Sequence, residues 1–279
     1  MRCALTWVAL PNWNLFMLEF PKKLSDARIL VTNDDSIHSE GIKVLEEIAL
    51  SLSPHVWVVA PETQQSAAGH SLTIHSPLRI KEYDERHVSV SGTPTDSVLI
   101  GIKRVMKGAR PHLVLSGINH GKNMADDVTY SGTIAAAIEA TLLGLPAIAF
   151  SQDLAGVDGR QAHWDTARTY VPRILRSFEG KAWERNVLIN VNIPARKAGI
   201  TPEIRVRPQG HYHMEDQEIV YCTDPRGKPY FWIGEPPWQD EKDESVDSGS
   251  VHAGHVTVTP LSLNLTHHPT LKMLEDIFK

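Results

Sequence analysis

Arg28-Ile29-Leu30-Val31-Thr32-Asn33-Asp34-Asp35-Ser36 is a short apolar run that stops on two adjacent carboxylates. Ile29 to Thr32 favour extended backbone, and Asn33-Asp34-Asp35 closes them with a polar turn, as at the end of a buried strand. Downstream, Ile42, Leu45, Ile48 and Ala49 share one helical face, so the stretch reads as the start of a strand–helix alternation. In an open parallel sheet, ligands gather outside the carboxyl ends of the strands. Two acids placed there repel each other and favour a cation between them.

The alternation continues outward from this stretch. Val56–Ala60 reads as a second buried strand ended by Pro61, while Leu72–Ile80 and Val88–Val90 have β character suited to a hairpin or an edge strand. Pro94 to Met106 is predicted helical, then Leu113–Leu115 strand, Thr133–Leu143 helix and Pro146–Phe150 strand. Trp164–Phe178 and Val187–Val191 add one more helix and strand. Strands separated by helices of this length predict an α/β fold with a mainly parallel sheet.

The flanks differ from this core. Residues 1–27 combine apolar residues with Pro11, Asn12 and Asn14; the broken apolar run and the single Arg2 do not make a secretory signal. They read as an N-terminal extension, residues 28–194 as the catalytic core, and 195–279 as a β-rich appendage suited to oligomerisation that returns to the core. Within the last part, Glu203–Arg207, Glu218–Tyr221, Tyr230–Ile233 and His255–Thr259 are β-like, and Asp240–Asp247 reads as a solvated acidic loop.

Composition narrows the partners. The net charge of −5 over 279 residues offers no basic face for a nucleic acid polymer. Cys3 and Cys222 stand far apart without metal-ligand spacing, which points to a reducing compartment such as the cytoplasm. No membrane association is implied.

Four loops follow predicted strands and carry the chemistry. Asp34 and Asp35 are candidate cation ligands, with helix capping as the alternative. The loop Pro61–Ser71 supplies Ser66, a neutral oxygen ligand beside carboxylates or an ordinary surface residue. Thr93-Pro94-Thr95-Asp96 fits a capping box. The fourth runs from Ser116-Gly117-Ile118-Asn119 through Asn123 to Ser131-Gly132-Thr133, whose glycines, hydroxyls and helix-start amides suit phosphate. Its Gly117-to-Lys122 spacing is one residue short of a P-loop, and Asn123 stands where Ser or Thr would be required. HExxH, GxSxG and GxGxxG are all missing from the chain. His211-Tyr212-His213 and His267-His268 are weaker metal candidates.

These motifs, in this order, resemble the SurE survival-protein family of metal-dependent nucleotidases. The likeness lies in Ile29–Asp35, Gln65–Thr73, Gly92–Asp96, Ser116–Asn119, Asp127–Thr133 and Leu143–Ala149, with Val256–Leu261 resembling a late strand. It implies a Rossmann-like three-layer α/β sandwich, a homodimer or homotetramer built partly from the C-terminal segment, and a divalent metal, Mg²⁺ or Mn²⁺, held by Asp34, Asp35, Ser66 and Asn119. It further implies hydrolysis of nucleoside monophosphates, with 3′-nucleotides and polyphosphate as further substrates of some members. Asp34, Asp35 and Asn119 would be catalytic, and Asn123, Ser131, Gly132 and Thr133 would hold the phosphate. A non-catalytic nucleotide-binding module with the same core is the alternative. Two positions depart from the family pattern, which has glycine where Ser36 and Ala125 stand.

Overall fold

The computed structural model describes residues 17–155, 161–195, 199–212, 218–234 and 242–279. Its first half runs β1 (Met17–Glu19), β2 (Ile29–Thr32), α1 (Glu40–Leu52), β3 (Val56–Pro61), β4 (Ile80–Glu82), β5 (His87–Val90), α2 (Pro94–Ile100) and β6 (Leu113–His120). Then come α3 (Gly132–Leu142), β7 (Ala147–Gln152), β8 (Leu154–Ala155), β9 (Gln161–Ala162), α4 (Trp164–Ser177), β10 (Ala182–Glu184) and β11 (Val187–Ile193). The C-terminal part holds β12 (Ile204–Val206), β13 (Ile219–Thr223), β14 (Pro229–Ile233), α5 (Asp247–His252), β15 (Val256–Ser262) and α6 (His268–Ile277).

Nine strands form one sheet in the order β12-β15-β11-β7-β6-β2-β3-β5-β4. The six from β11 to β5 are mutually parallel, and β15 and β4 flank them antiparallel. Strand alternation splits β2 between two cores. Ile29 and Val31 join Ile42 and Leu45 of α1 with Val171 and Ile174 of α4. Leu30 joins Val98 of α2 with Ile134 and Ala137 of α3 on the other face. Both faces are covered, so β2 is buried along its whole length, as its unbroken apolar run requires. From β2 the chain moves out to β3 and β5, then returns to β6 on the opposite side. The crevice between β2 and β6 is thus the topological switch point.

Several expectations shift. The helix predicted to Met106 is α2 followed by a wider π turn over Gly101–Val105. Leu72–Ile74 lies in a loop, with Leu72 and Ile74 exposed and the strand starting only at Ile80. Hydrogen bonds replace burial there: Asp96 accepts from the Thr73 N–H at 3.0 Å, and the Thr93 hydroxyl donates to the Ser71 carbonyl at 2.8 Å. The Thr93–Asp96 capping box forms as expected. Of the acidic run, residues 240–241 lie outside the described ones, and Asp247 is fully buried at the start of α5 instead of solvated.

Residues 17–27 pack on the core, whereas the sequence places them in an extension outside it. β1 pairs with β10, and the fully buried Phe20 ring lies 5.7 Å from Phe178 and 5.6 Å from Trp183, centroid to centroid. A single aromatic anchor between charged residues has no periodicity to reveal it. Residues 1–16 lie outside the described ones. In the C-terminal part β15 enters the main sheet, β13 and β14 form a separate hairpin, and α6 has no buried residue.

Truncating Phe20 to alanine removes a fully enclosed ring, a change that costs about 3–5 kcal/mol in well-packed cores. The Phe20→Ala variant is expected to show a correspondingly lower denaturant midpoint. A midpoint equal to wild type would mean that β1 and its anchor are dispensable.

Candidate functional site

Asn33 shapes the turn after β2. Its Nδ2 donates to the Ser36 carbonyl and the Ser39 hydroxyl, both at 2.8 Å, and Ser39 in turn caps α1 by accepting from the Ile42 N–H. The cap is therefore Ser39, which removes the capping alternative for Asp34 and Asp35. Ser36 adopts φ of 94°, the left-handed region in which a side chain costs on the order of 1 kcal/mol. Ala125, the other departure from glycine, also has positive φ, at 47°.

The remaining loops converge on the two carboxylates. Asp34 is buried, and its Oδ1 accepts from the Thr133 hydroxyl at 2.5 Å. Gly132 lies so close that a Cβ there would sit 2.7 Å from the Asp34 Cβ, which makes glycine obligatory at that position. Asp35 Oδ2 accepts from the His120 N–H at 3.1 Å. The Gln64 amide reaches Asp35 Oδ1 at 3.5 Å and the Ser66 hydroxyl at 3.0 Å, while the Gln65 N–H donates to the Asp34 carbonyl at 2.8 Å. Asp34, Asp35, Ser66, Gly132 and Thr133 thus belong to one connected cluster, and Asn119 directly precedes the His120 whose N–H reaches Asp35.

Asn119 is aimed by a distortion of its strand. Pairing between β6 and β7 shifts register between Ser116 and Asn119, as a bulge does when it redirects a side chain. At Gly117 a Cβ would meet the Phe150 carbonyl oxygen at 2.2 Å, so the shift needs glycine. The half-buried Asn119 gives its Nδ2 to the Gly121 carbonyl at 2.9 Å, leaving its side-chain oxygen as the group for a cation.

Burial pushes the Asp34 carboxyl up to about 6, with Asp35 repulsion adding and the Thr133 hydroxyl opposing. Burial also raises Asp35, against the His120 N–H and its ring. Among the described residues neither carboxylate is ion-paired with a basic side chain. No cluster of three or more His, Cys, Asp or Glu side chains forms a metal site among the described residues. The donors are two carboxylates with neutral oxygens, a hard set that fits Mg²⁺ or Mn²⁺.

The phosphate-holding candidates divide. Ser131 caps α3, accepting from the Ile134 N–H at 3.1 Å, and keeps its own hydroxyl proton. The Thr133 hydroxyl is committed to Asp34, and its backbone N–H also faces that carboxylate. Asn123 is buried elsewhere: its Nδ2 donates to the Ser151 hydroxyl at 2.9 Å, its N–H to Asn192, and its carbonyl accepts from Asn190 and Asn192. It anchors the loop to β7 and β11 from behind.

Sequence patterns gave Gln64 no role and did not bring Tyr212 and Asp247 to Asp126 and Asp127. There the Tyr212 hydroxyl bonds Asp127, the Tyr212 N–H donates to Asp126 at 2.6 Å, and buried Asp247 accepts from Gly210, Ser248 and Ala125. This cluster fastens the C-terminal segment to the loop before α3. Burial lifts Asp127 to about 6 against the pull of Lys122. His211 faces Asp126, His213 lies outside the described residues, and exposed His267 bonds Thr270.

Comparison with known proteins bears on the same region. The family described as "Survival protein SurE" matches residues 29–216. A "5'-nucleotidase SurE" of Paramagnetospirillum magneticum is 51% identical over 254 residues, covering 91% of this chain and 96% of that protein. Its counterpart in Parvibaculum lavamentivorans is 44% identical over 89% of this chain and 90% of its own length. The crystal structure of the SurE protein from Aquifex aeolicus matches with a TM-score of 0.76 and 35% identity, over 90% of this chain and 99% of that one.

The raised Asp127 sets a pH dependence. Its folded pKa of about 6 exceeds the ordinary 3.8, so between these values the folded state holds more protons than the unfolded one. Its contribution to stability is therefore present at acid pH and falls as pH rises through the folded value. Relative to Asp127→Asn, wild type should lose melting temperature between about pH 4 and pH 7. Parallel pH profiles for the two proteins would refute the assignment.

Proposed function

The chain belongs to the SurE survival-protein family, and we infer that it is a 5′-nucleotidase, hydrolysing nucleoside monophosphates to nucleoside and phosphate. Near-full-length relatives at 51% and 44% identity carry that name. The single observation in the fold that supports it most is the pair Asp34–Asp35 at the switch point, the first buried and the second half-buried, neither ion-paired with a lysine or arginine among the described residues. A nucleotide-binding module without catalysis would have no use for two such carboxylates, so the catalytic reading is favoured.

In this proposal Asp34, Asp35, Ser66 and Asn119 hold a divalent ion, Mg²⁺ or Mn²⁺. When bound, such an ion neutralises phosphate charge and activates water for attack. The chain's own residues do the rest. Thr133 and Gly132 lock the rotamer of Asp34, the His120 N–H fixes Asp35, and Gln64 couples Asp35 to Ser66. The free hydroxyl proton of Ser131 faces the anion at the start of α3, where the positive end of the helix dipole favours it. Asn123 acts through the loop it anchors.

The same proposal places the enzyme in the cytoplasm as a homodimer or homotetramer. No helix among the described residues is long and apolar enough to cross a membrane. Exposed Tyr221, Phe231 and Trp232 on the β13–β14 hairpin and Leu271, Ile277 and Phe278 on or beside α6 supply apolar surface for a second copy.

Release of phosphate from adenosine monophosphate should require a divalent ion and stop with chelator. Asp34→Asn and Asp35→Asn should each abolish nearly all turnover while the fold survives. Full, chelator-sensitive activity in both variants would overturn the site.

Ser131→Ala separates two roles of one side chain. Loss of the cap should lower stability by about 1 kcal/mol. Loss of a hydrogen bond to a charged group should lower kcat/KM roughly ten- to a hundredfold and leave metal affinity unchanged. A melting shift without a kinetic one would reduce Ser131 to a cap.

A further inference from the structure

One cavity among the described residues lies away from the switch point. It is a cleft of about 490 Å³ at the opposite, N-terminal edge of the sheet, bounded by the segment 18–28, residues 110–112 and residues 144–146. Arg28, His112 and Pro146 directly precede β2, β6 and β7. At about 3.3 Å per residue, Arg28 stands roughly 20 Å from Asp34 along the extended chain.

Cationic side chains are concentrated here in a chain whose net charge is −5. Lys22, Lys23, Arg28, Arg110 and His112 all line the cleft. Arg185 joins them at the rim: one point above Gly144 lies 3.8 Å from an Arg185 guanidinium nitrogen and 3.9 Å from one of Arg110. Glu19 and Asp26 also line the cleft, yet among the described residues none of these lysines and arginines is ion-paired with a carboxylate. The guanidiniums are held by carbonyls instead: Arg28 Nε donates to the Arg110 carbonyl at 2.8 Å, and Arg110 donates to the Leu143 carbonyl.

His112 makes the deficit of acceptors explicit. The Arg28 backbone N–H points at its Nδ1 at 3.0 Å, and Arg28 Nη2 lies 3.0 Å from its Nε2. Both partners are donors, and a neutral imidazole has one acceptor nitrogen. Burial and the Arg28 charge hold His112 below its usual range, favouring the neutral ring. One contact is therefore donor against donor, and an external oxygen accepting from both groups would resolve it.

We propose that this cleft binds a small anion carrying two or more phosphate groups, at a site separate from the hydrolytic one. Several fixed guanidinium donors, an imidazole N–H and two flexible ammonium groups suit adjoining phosphates, and the volume falls in the range of small-molecule sites. The site stands independently of the nucleotidase assignment.

Titration calorimetry of the full chain with inorganic tripolyphosphate tests it, at low salt and with chelator present so that no ion serves the hydrolytic site. Wild type should bind saturably, Asp34→Asn should bind equally, and Arg28→Gln/Arg110→Gln should bind at least tenfold more weakly. That double variant should retain basal hydrolysis of adenosine monophosphate in the presence of Mg²⁺ or Mn²⁺. Absence of saturable binding, loss of binding in Asp34→Asn, or undiminished binding in the double variant would overturn the proposal. If the double variant fails to fold, Lys22→Gln/Lys23→Gln, altering two exposed rim residues, replaces it. Its binding should fall severalfold with a shallower salt dependence, and unchanged affinity and salt dependence would refute the site.

Discussion

Asp34 and Asp35 sit side by side at the end of β2, the first buried and the second half-buried, and among the described residues neither is ion-paired with a lysine or arginine. Left alone, such a pair opposes folding, because burial and mutual repulsion both favour the neutral form. Neutral donors meet the carboxylates from three elements: Thr133 at the start of α3, His120 at the end of β6, and Gln64 in the loop after β3. These offset part of the cost and leave the charge in place. The arrangement stores affinity for a hard cation, since an ion that neutralises both acids recovers what their burial has cost.

That cluster explains the backbone irregularities around it. Gly132 is pressed against Asp34 and Gly117 against the Phe150 carbonyl, each closer than a Cβ permits. Ser36 is held at positive φ because Asn33 ties both its carbonyl and the α1 cap. The sharp turn is therefore dictated by Asn33, and the strain at Ser36 is a consequence tolerated at the site. Ala125 adopts positive φ in the loop that leads to α3, where buried Asp247 accepts from its N–H.

Local features carried most of what could be read from residues alone. The run Ile29–Thr32 is apolar on both faces because helices cover both sides of β2, and the Thr93–Asp96 cap is written within four residues. Gathering the four loops at one place also followed, since each leaves the carboxyl end of a parallel strand. What escaped depends on distant partners. Phe20 becomes core only through Phe178 and Trp183, Asp247 is buried only because Gly210 and Ala125 reach it, and the Leu72–Ile74 stretch is held as a loop by Asp96. Thr133 and Asn123 carry the right chemistry for phosphate, yet their donors turn to Asp34 and Ser151. No spacing rule reports which acceptor a side chain will choose.

The two ends of the sheet complete the logic. Parallel strands collect their loops by direction, so everything following β2, β3 and β6 meets at one edge and everything preceding them at the other. At the first edge Asp34 and Asp35 lie together with no lysine or arginine ion-paired to them, and at the second Arg28, Arg110 and His112 crowd without an ion-paired carboxylate, among the described residues. Each imbalance is kept by the same rigid core, whose buried strands cannot slide to let opposite charges meet. A nine-stranded sheet that holds unlike charge excesses at opposite edges keeps two anion- or cation-seeking surfaces apart without any further device. Their separation is then a property of the topology, set as soon as the chain returned from β5 to β6.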